Sequence, residues 1–395
     1  MGLKGCEIGV IGAGIGGLAA GMALAQRGAR VLIVEQAERL GEVGAGIEIG
    51  PNGLAVLDAL GRRDALAPLA SAPPAIEWHD HRSGERLASL PLGAASVARY
   101  HRPFWHLHRA DLIAALQAGF LEAGGEIRLG SRIAPLTSRD GRPTLAGEPL
   151  DLVVAADGLR SQHRSERFRT GPPRYTGHVA WRGTVAADRL PPGLVPNAGC
   201  VTMGPGRHLV TFPLRAGALI GFVAVERRAR WAPEDWGQAD DRAVLRRAFF
   251  GWNQAATTLL AAVQETWLWG LFDHPPLPDW IDGRLALLGD ACHPTLPFLA
   301  QGAAMAMEDA WVLAAELDAA ADPDRGLAAY AARRRPRTVR VQQASTQIGR
   351  LYHLEAAGLR PALHLGLRLF GTPAATQLLH RLDWLFGEDV TASRA

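Results

Sequence analysis

Three acidic residues each close a short apolar run in this 395-residue chain: Glu35 follows Val31-Leu32-Ile33-Val34, Asp157 follows Leu152-Val153-Val154-Ala155-Ala156, and Asp290 follows Leu285-Ala286-Leu287-Leu288-Gly289. A carboxylate carried to the end of a buried strand needs hydrogen-bond donors, because an ionised group without partners is expensive away from water. Sugar and polyol hydroxyls supply such donors. Upstream of Glu35, Gly12-Ala13-Gly14-Ile15-Gly16-Gly17 stands between the apolar run Ile8–Ile11 and residues at helical spacing that continue to Gln26, with Gly28 placed to end the helix. A glycine turn that opens a helix does a second kind of chemistry: free N–H groups and the positive end of the helix dipole attract phosphates.

The elements that must position these groups follow from their order. Strand, glycine turn, helix, second strand and terminal acid make up a dinucleotide-binding unit. Gly12 permits the tight turn, Gly14 lets backbone approach a pyrophosphate, Ile15 and Gly16 open the helix, and Gly17 allows it to pack closely on the strand. Glu35, 18 residues after Gly17 and followed by Gln36, is placed to accept from both ribose hydroxyls. This unit alone does not separate NAD from FAD. The runs ending on Asp157-Gly158 and Gly289-Asp290 read as buried parallel strands that deliver aspartates to the carboxyl edge of the sheet, where doubly wound folds bind ligands. Asp290 suits a ribityl hydroxyl, and Asp157 a backbone or arginine partner beside the cofactor. After Asp290, Pro294 and Pro297 stiffen a loop, and small and apolar residues from Gln301 begin a long helix. Gly302, Ala303 and Ala304 then offer unpaired N–H groups suited to the N1/O2 edge of an isoalloxazine ring, which becomes anionic on reduction.

In this order and spacing, the glycine turn with Glu35, the Asp157-Gly158 segment and the Gly289-Asp290 segment resemble the single-component aromatic hydroxylases of the para-hydroxybenzoate hydroxylase type. Within them the chain is most similar to the salicylate, 3-hydroxybenzoate and 6-hydroxynicotinate hydroxylase group. The residues that carry this are Gly44-Ala45-Gly46-Ile47-Glu48-Ile49-Gly50-Pro51-Asn52, His108-Arg109-Ala110-Asp111-Leu112, Ala180-Trp181-Arg182-Gly183 and the run from Gly289 to Ala310. The resemblance spans roughly residues 6 to 345. It implies non-covalent FAD, with Arg109 at the phosphate or ribose region and Val43 to Ile47, including Gly46, beside the flavin. No second glycine fingerprint follows a strand, and the resemblance implies that NADH or NADPH docks transiently. The family's course is flavin reduction, reaction with O₂ to a C4a-hydroperoxide, and transfer of one oxygen to an activated aromatic ring. The protein orients the substrate and excludes water.

The expected architecture is α/β: a Rossmann-like FAD-binding domain of the GR2 type, an interleaved α+β substrate domain, and C-terminal helices. The FAD domain is assigned to residues 1–73, 102–172 and 276–320, the substrate domain to 74–101 and 173–275, and a helical segment to 321–395, with Pro73-Pro74, Pro172-Pro173 and Pro275-Pro276 at the edges. In the tail, Arg333-Arg334-Arg335 reads as a solvated helix face. With 48% hydrophobic residues the chain can bury a core larger than one domain usually holds. The net charge of +3 is spread out, which argues against nucleic acid. Three separated cysteines suit a reducing compartment. The first residues lack the order of a signal peptide, and no apolar run approaches the roughly 20 residues that span a bilayer. A cytoplasmic monomer or homodimer is expected.

For substrate chemistry, His208 precedes an alternating strand, at the place where the resemblance puts a histidine near the substrate; a neutral imidazole can take a phenol proton. The other reading is a strand-edge histidine bonded to backbone. Glu48, Phe212 and Phe298 depart from the hydroxynicotinate enzymes, which by the resemblance carry histidine, tyrosine and histidine there. Two phenyl rings and Pro297 then imply an apolar pocket, with Glu48 the next candidate base. Arg182 can hold a carboxylate bidentately or pair within the domain interface. His79 and His81, and His106 and His108, share strand faces, but no carboxylate cluster near them suggests a metal. Cys292 reads as a packed thiol. A halogenase is set aside because Trp267-Leu268-Trp269 lacks that family's Ile-Pro ending. An epoxidase or reductase of a larger apolar substrate shares the FAD motifs, and a non-catalytic relative of the Rab GDP-dissociation inhibitors would not need Asp290.

Overall fold

Helix Ile15–Ala25 is apolar on every side, with ten of its eleven residues buried, so it must be enclosed rather than lie on a surface. In the computed structural model, which describes residues 2–41, 46–131, 136–139, 142–231, 238–239, 241–356, 358–371 and 375–392, it is packed against the first two strands and against helices Arg109–Glu122 and Gly302–Ala319. Glycines make this close approach possible. A Cβ on Gly21 would lie 2.8 Å from Ile33 Cδ1 and 3.0 Å from Phe120 Cε2.

The strands Ile281–Asp282, Leu285–Leu287, Leu152–Ala155, Glu7–Ile11, Arg30–Val34 and Glu126–Arg128 form one six-stranded sheet in that order. All neighbours are parallel except the first pair. The three acids therefore emerge at one carboxyl edge, as expected from the sequence. The central strands are almost wholly buried, which explains their continuous apolar runs.

A second sheet of eight strands runs Gln238–Ala239, Trp267–Asp273, Arg174–Ala186, Leu219–Arg227, Arg207–Leu214, Gly199–Gly204, Ala75–Asp80 and Arg86–Pro91. Its one parallel pairing joins Gly199–Gly204 to Ala75–Asp80, so two stretches distant in sequence share one sheet. The alternating runs near residues 208–212 and 218–225 are two of these strands. His208 lies inside the strand Arg207–Leu214 rather than ahead of it. A ribbon of Gly46–Ile49 against Trp105–His108 pairs Gly46 with His108 and Glu48 with His106. It faces the large sheet: a Cβ on Gly46 would lie 2.0 Å from Phe212 Cε2. Val43, Gly44 and Ala45, expected beside the flavin, lie outside the described residues.

Helix Pro323–Tyr352, 30 residues and about 45 Å long, packs along Gly302–Ala319. The solvated face expected for Arg333-Arg334-Arg335 is corrected at its centre. Arg334 is only 1% exposed, with Nε 2.7 Å from Asp309 Oδ1 and Nη2 2.7 Å from Glu308 Oε2. Two buried carboxylates on the neighbouring helix require a buried cation, whatever the helical period suggests. Arg333 pairs with Glu316, and Arg335 donates to the Pro278 carbonyl.

Candidate active site

The glycine turn is shaped at two positions and open at a third. Gly12 has φ +96°, and a Cβ there would lie 2.6 Å from the Ala156 carbonyl oxygen; a Cβ on Gly17 would lie 1.9 Å from the Gly12 oxygen. Around Gly14 no atom lies within 4 Å of a Cβ position, and this residue caps the helix without a side-chain hydrogen bond. Backbone donors are therefore presented to an open cradle. A Cβ on Gly16 would lie 2.8 Å from Leu288 Cδ2, and Ile15 is buried. Glu35 braces this turn: Oε2 accepts from Ala13 N at 2.7 Å and Oε1 from Ala37 N at 2.9 Å. A carboxylate has lone pairs left for ribose hydroxyls. Gln36 beside it is exposed.

Asp157 finds a different partner from the backbone or arginine expected of it. Its Oδ2 lies 2.9 Å from His163 Nδ1, on a short helix that begins at Gln162. From the same helix Arg164, 1% exposed, donates to the carbonyls of Ala291, Cys292 and Pro275. That buried guanidinium ties the Asp157 segment to the loop after Asp290. Asp290 is exposed at its strand end, yet surrounding protein raises its pKa, with His293, Arg109 and Arg182 acting in the opposite direction. A carboxylate open to solvent on one side and enclosed by protein on the others satisfies both observations. Arg109, half-buried, opens the helix that follows the ribbon, where His108 Nδ1 accepts from Ala110 N.

Helix Gly302–Ala319 starts without a side-chain cap. A Cβ on Gly302 would meet nothing nearer than Thr295 Cγ2 at 3.6 Å; Ala303 is half-buried and Ala304 fully buried. The buried Gln301 receives Asn52 Nδ2 on Oε1, while its Nε2 has no partner among the described residues. One ion network anchors this helix. Asp309 Oδ2 accepts from His293 Nε2 at 2.5 Å and Gly289 N at 3.2 Å, and Glu308 is held by Arg334, Arg337 and Asn52. Burial opposes ionisation of both carboxylates, but Arg334 and Arg337 at Glu308, and His293 and Arg334 at Asp309, hold them below the usual range. Burial likewise opposes a charged His293, and Asp309 reverses that, pushing it well above its ordinary value.

The turn Pro297–Leu299 packs on the large sheet, where Phe298 clusters with Ala180, Val225 and Leu271. His208 is 2% exposed, with its ring 5.6 Å from that of Phe298, 5.2 Å from Tyr352 and 4.8 Å from His353. Burial, and then His353 and His178, keep it well below its ordinary pKa, so the ring is neutral. Pro297 is half-buried, and Phe298 packs against Gly349, where a Cβ would come within 2.4 Å of its ring. Phe212, four residues beyond His208 on the same strand face, lies 5.2 Å from the His106 ring. Glu48 stands 3.9 Å from His106 Nε2; burial raises Glu48 to about 7 and lowers His106 to about 3. Tyr352 accepts from Trp78 Nε1, and burial pushes it up to about 12. The pocket is therefore more polar than two phenyl rings suggested. Arg182 lies on the strand Arg174–Ala186, separated from that of His208 by Leu219–Arg227, with its guanidinium 5.5 Å from the Trp269 ring centre.

Sequence reasoning missed His353, Tyr352, His178, Arg164 and the Glu308–Asp309–Arg334 network. Tyr352 and His353 end a helix whose sequence reads as surface, and only the packed structure reveals their neighbours. Near His79 the expected lack of carboxylates is corrected. Ligand atoms of Glu77, His79 and Cys200 lie within 4.8 Å of one another, because Glu77 and His79 share a strand face opposite Cys200. Glu77 already pairs with both His79 and Arg86, and burial drives the Cys200 thiol up to about 12.

The open glycine turn, strand-end aspartate and uncapped helix start fit FAD, and the likeness to known proteins agrees. A family model described as an FAD binding domain matches residues 149–345, and one described as an NAD(P)-binding Rossmann-like domain matches 10–59. A 3-amino-4-hydroxybenzoate 2-monooxygenase of Streptomyces platensis is 37% identical over 354 residues, covering 88% of this chain and 89% of that protein. The 3-hydroxybenzoate 6-hydroxylase 1 of Aquipseudomonas alcaligenes is 33% identical, over 96% and 97%. The solved structure of Klebsiella pneumoniae HpxO with FAD and uric acid superposes with a TM-score of 0.84 at 28% identity, covering 95% of each chain. The chain belongs to the FAD-dependent aromatic hydroxylases. Among the described residues of this hydroxylase no helix is long and apolar enough to cross a membrane.

Proposed function

We propose that this monooxygenase hydroxylates a small phenol or hydroxylated aromatic acid, using NADH or NADPH and O₂, in the cytoplasm. The observation that carries the reading is a buried His208, kept neutral and set beside Phe298 and Tyr352 on the large sheet, in a chain that carries the FAD-binding fold. FAD, when bound, supplies the redox chemistry that activates O₂. The protein's own residues do the rest: Gly14, Gly302 and Ala303 offer N–H groups to the cofactor, Asp290 accepts from its ribityl chain, and Arg109 sits at its phosphate or ribose end. His208 accepts the substrate's phenolic proton, which makes the ring electron-rich. Arg182 offers a fork to a substrate carboxylate, and Glu48 is the second proton acceptor.

The polar groups Glu48, His106, His208 and Tyr352 favour this over a long apolar substrate. The proposed FAD unit comprises 1–73, 102–172 and 276–320, with a substrate unit of 74–101 and 173–275 and a helical segment of 321–395. That each sheet draws its strands from only one unit supports this division. The test is a screen of hydroxylated benzoates, phenols and N-heteroaromatics for stimulated NAD(P)H oxidation, with product mass checked for one added oxygen. A compound that stimulates oxidation but yields only hydrogen peroxide is an effector, and a panel without any oxygenated product refutes the proposal.

A further inference from the structure

His353 has one ring nitrogen on a group that can only accept. Its Nδ1 lies 2.7 Å from the Gly349 carbonyl oxygen, so Nδ1 carries the proton. His353 is 7% exposed, and burial first, with His178 adding to it, lowers its pKa to about 4, so near neutral pH it holds no second proton. Nε2 is then an acceptor. That atom lies 2.9 Å from His208 Nδ1, and two ring nitrogens at that distance need one hydrogen between them. His208 must supply it. A neutral imidazole has one N–H, so His208 Nε2, on the ring edge away from His353, is left as a lone pair.

We infer that His353 is a positioning residue: through Gly349 it fixes the proton of His208 on Nδ1 and so leaves His208 Nε2 as the acceptor presented to the substrate. This rests on the reading of His208 as the proton acceptor. Other contacts hold the device in place. Phe298 packs edge-on to both rings, at 5.6 Å from His208 and 5.5 Å from His353, and also fills the space beside Gly349 where a side chain would stand. His178 stacks on His353 at 4.5 Å with 39° between the rings. The backbone N–H of His353 reaches the same Gly349 oxygen at 3.2 Å, so the helix end fixes the acceptor that fixes the tautomer. When the substrate proton arrives at His208 Nε2, the N–H on Nδ1 already points at His353, and the new charge is shared across that bond without any ring turning over.

The test reads the tautomer directly. In FAD-loaded protein labelled with ¹⁵N-histidine, long-range ¹H–¹⁵N correlation spectra report which ring nitrogen is protonated, and the His208 signals are assigned by their loss in His208→Phe. His208 is expected as the Nδ1–H form. His353→Leu, which removes the acceptor, should move His208 to the Nε2–H form or a mixture and lower the hydroxylation kcat by about 10-fold or more, within the range of acid–base contributions, with the rate of flavin reduction unchanged. His353→Gln, which keeps an acceptor, should retain the parent tautomer and most of the rate. An Nε2–H His208 in the parent, or an unchanged tautomer in His353→Leu, overturns the inference. A tautomer that shifts while hydroxylation stays at the parent rate instead overturns the role of His208 as proton acceptor. The parent spectrum decides the matter even if a variant folds poorly.

Discussion

Gly14→Ala separates cofactor binding from folding. The residue has φ −72° and ψ −177°, which any L-residue adopts, and its Cβ position has no atom within 4 Å. The protein itself should hardly notice the methyl group, with a stability change within about 0.5 kcal/mol, as for substitutions that break no contact. FAD binding should suffer, because the added carbon occupies the space where the pyrophosphate approaches the backbone. Losing one hydrogen bond from an N–H to a charged phosphate costs about 1.5–3 kcal/mol, or roughly 10- to 150-fold in affinity at 1.4 kcal/mol per decade. Apo-protein titrated with FAD, followed by quenching of flavin fluorescence, gives the affinity, and urea unfolding of the same apo-protein gives the stability. Gly17→Ala is the contrast: its Cβ would stand 1.9 Å from the Gly12 oxygen, so both measurements should fall together. Gly14→Ala that binds FAD within about threefold of the parent would show that the pyrophosphate lies elsewhere, since no charge-assisted bond is that weak.

Asp290→Ala should purify colourless or lose its flavin on dilution while remaining folded by circular dichroism; a variant that stays yellow with parent affinity removes Asp290 from the ribityl site. His208→Ala should keep FAD and its reduction but lose hydroxylation by about 10²-fold or more, the usual scale for an acid–base group, with hydrogen peroxide rising in proportion; unchanged coupling would make this histidine structural. Because burial holds Glu48 near 7, it is neutral below that pH and ionised above it, so substrate-stimulated turnover should show a titration near pH 7 that Glu48→Gln abolishes. A limb that survives in Glu48→Gln belongs to another group. Arg334→Met should lower stability by about 3–5 kcal/mol, the cost of leaving a buried ion partner uncompensated, seen as a lower urea midpoint; a shift under about 1 kcal/mol would mean that Glu308 and Asp309 take up protons cheaply.

Much of the cofactor half was legible because its signals are local. Gly12, Gly14, Gly17 and Glu35 fall within 24 residues, and strand, turn and helix each follow from periodicity and glycine placement before any long-range contact is needed. Asp157 and Asp290 were readable for the same reason, each being the end of a continuous apolar run. The partner of Asp157 was not readable. His163 is six residues away, but whether it turns back depends on the helix that Ser161 caps. The surroundings of His208 are assembled from positions without local coupling: His208 meets His353 across 145 residues, and Trp78 meets Tyr352 across 274. No spacing rule encodes such a pair.

The buried cluster on helix Gly302–Ala319 explains why the arginine-rich tail belongs in any account of the site. Asp309 holds Gly289 N and His293, the residues on either side of the Asp290 loop, and Arg334 holds Asp309. The same tail helix reaches the strand Leu285–Leu287 through Tyr330, whose hydroxyl donates to the Leu287 carbonyl at 2.9 Å. At its far end it carries Tyr352 into the pocket, and His353 follows directly. One helix therefore reaches the Asp290 loop through its middle turns, by way of Asp309, and the proposed proton acceptor through its end. A displacement of the Asp290 loop is opposed by Arg334 and Tyr330, and a displacement of His353 is opposed by the helix that those residues pin. Asp290 and His208 are thus tied together through Arg334 and Tyr330, side chains that bond to neither, which is why an isolated reading of Arg334 as surface charge misses its role.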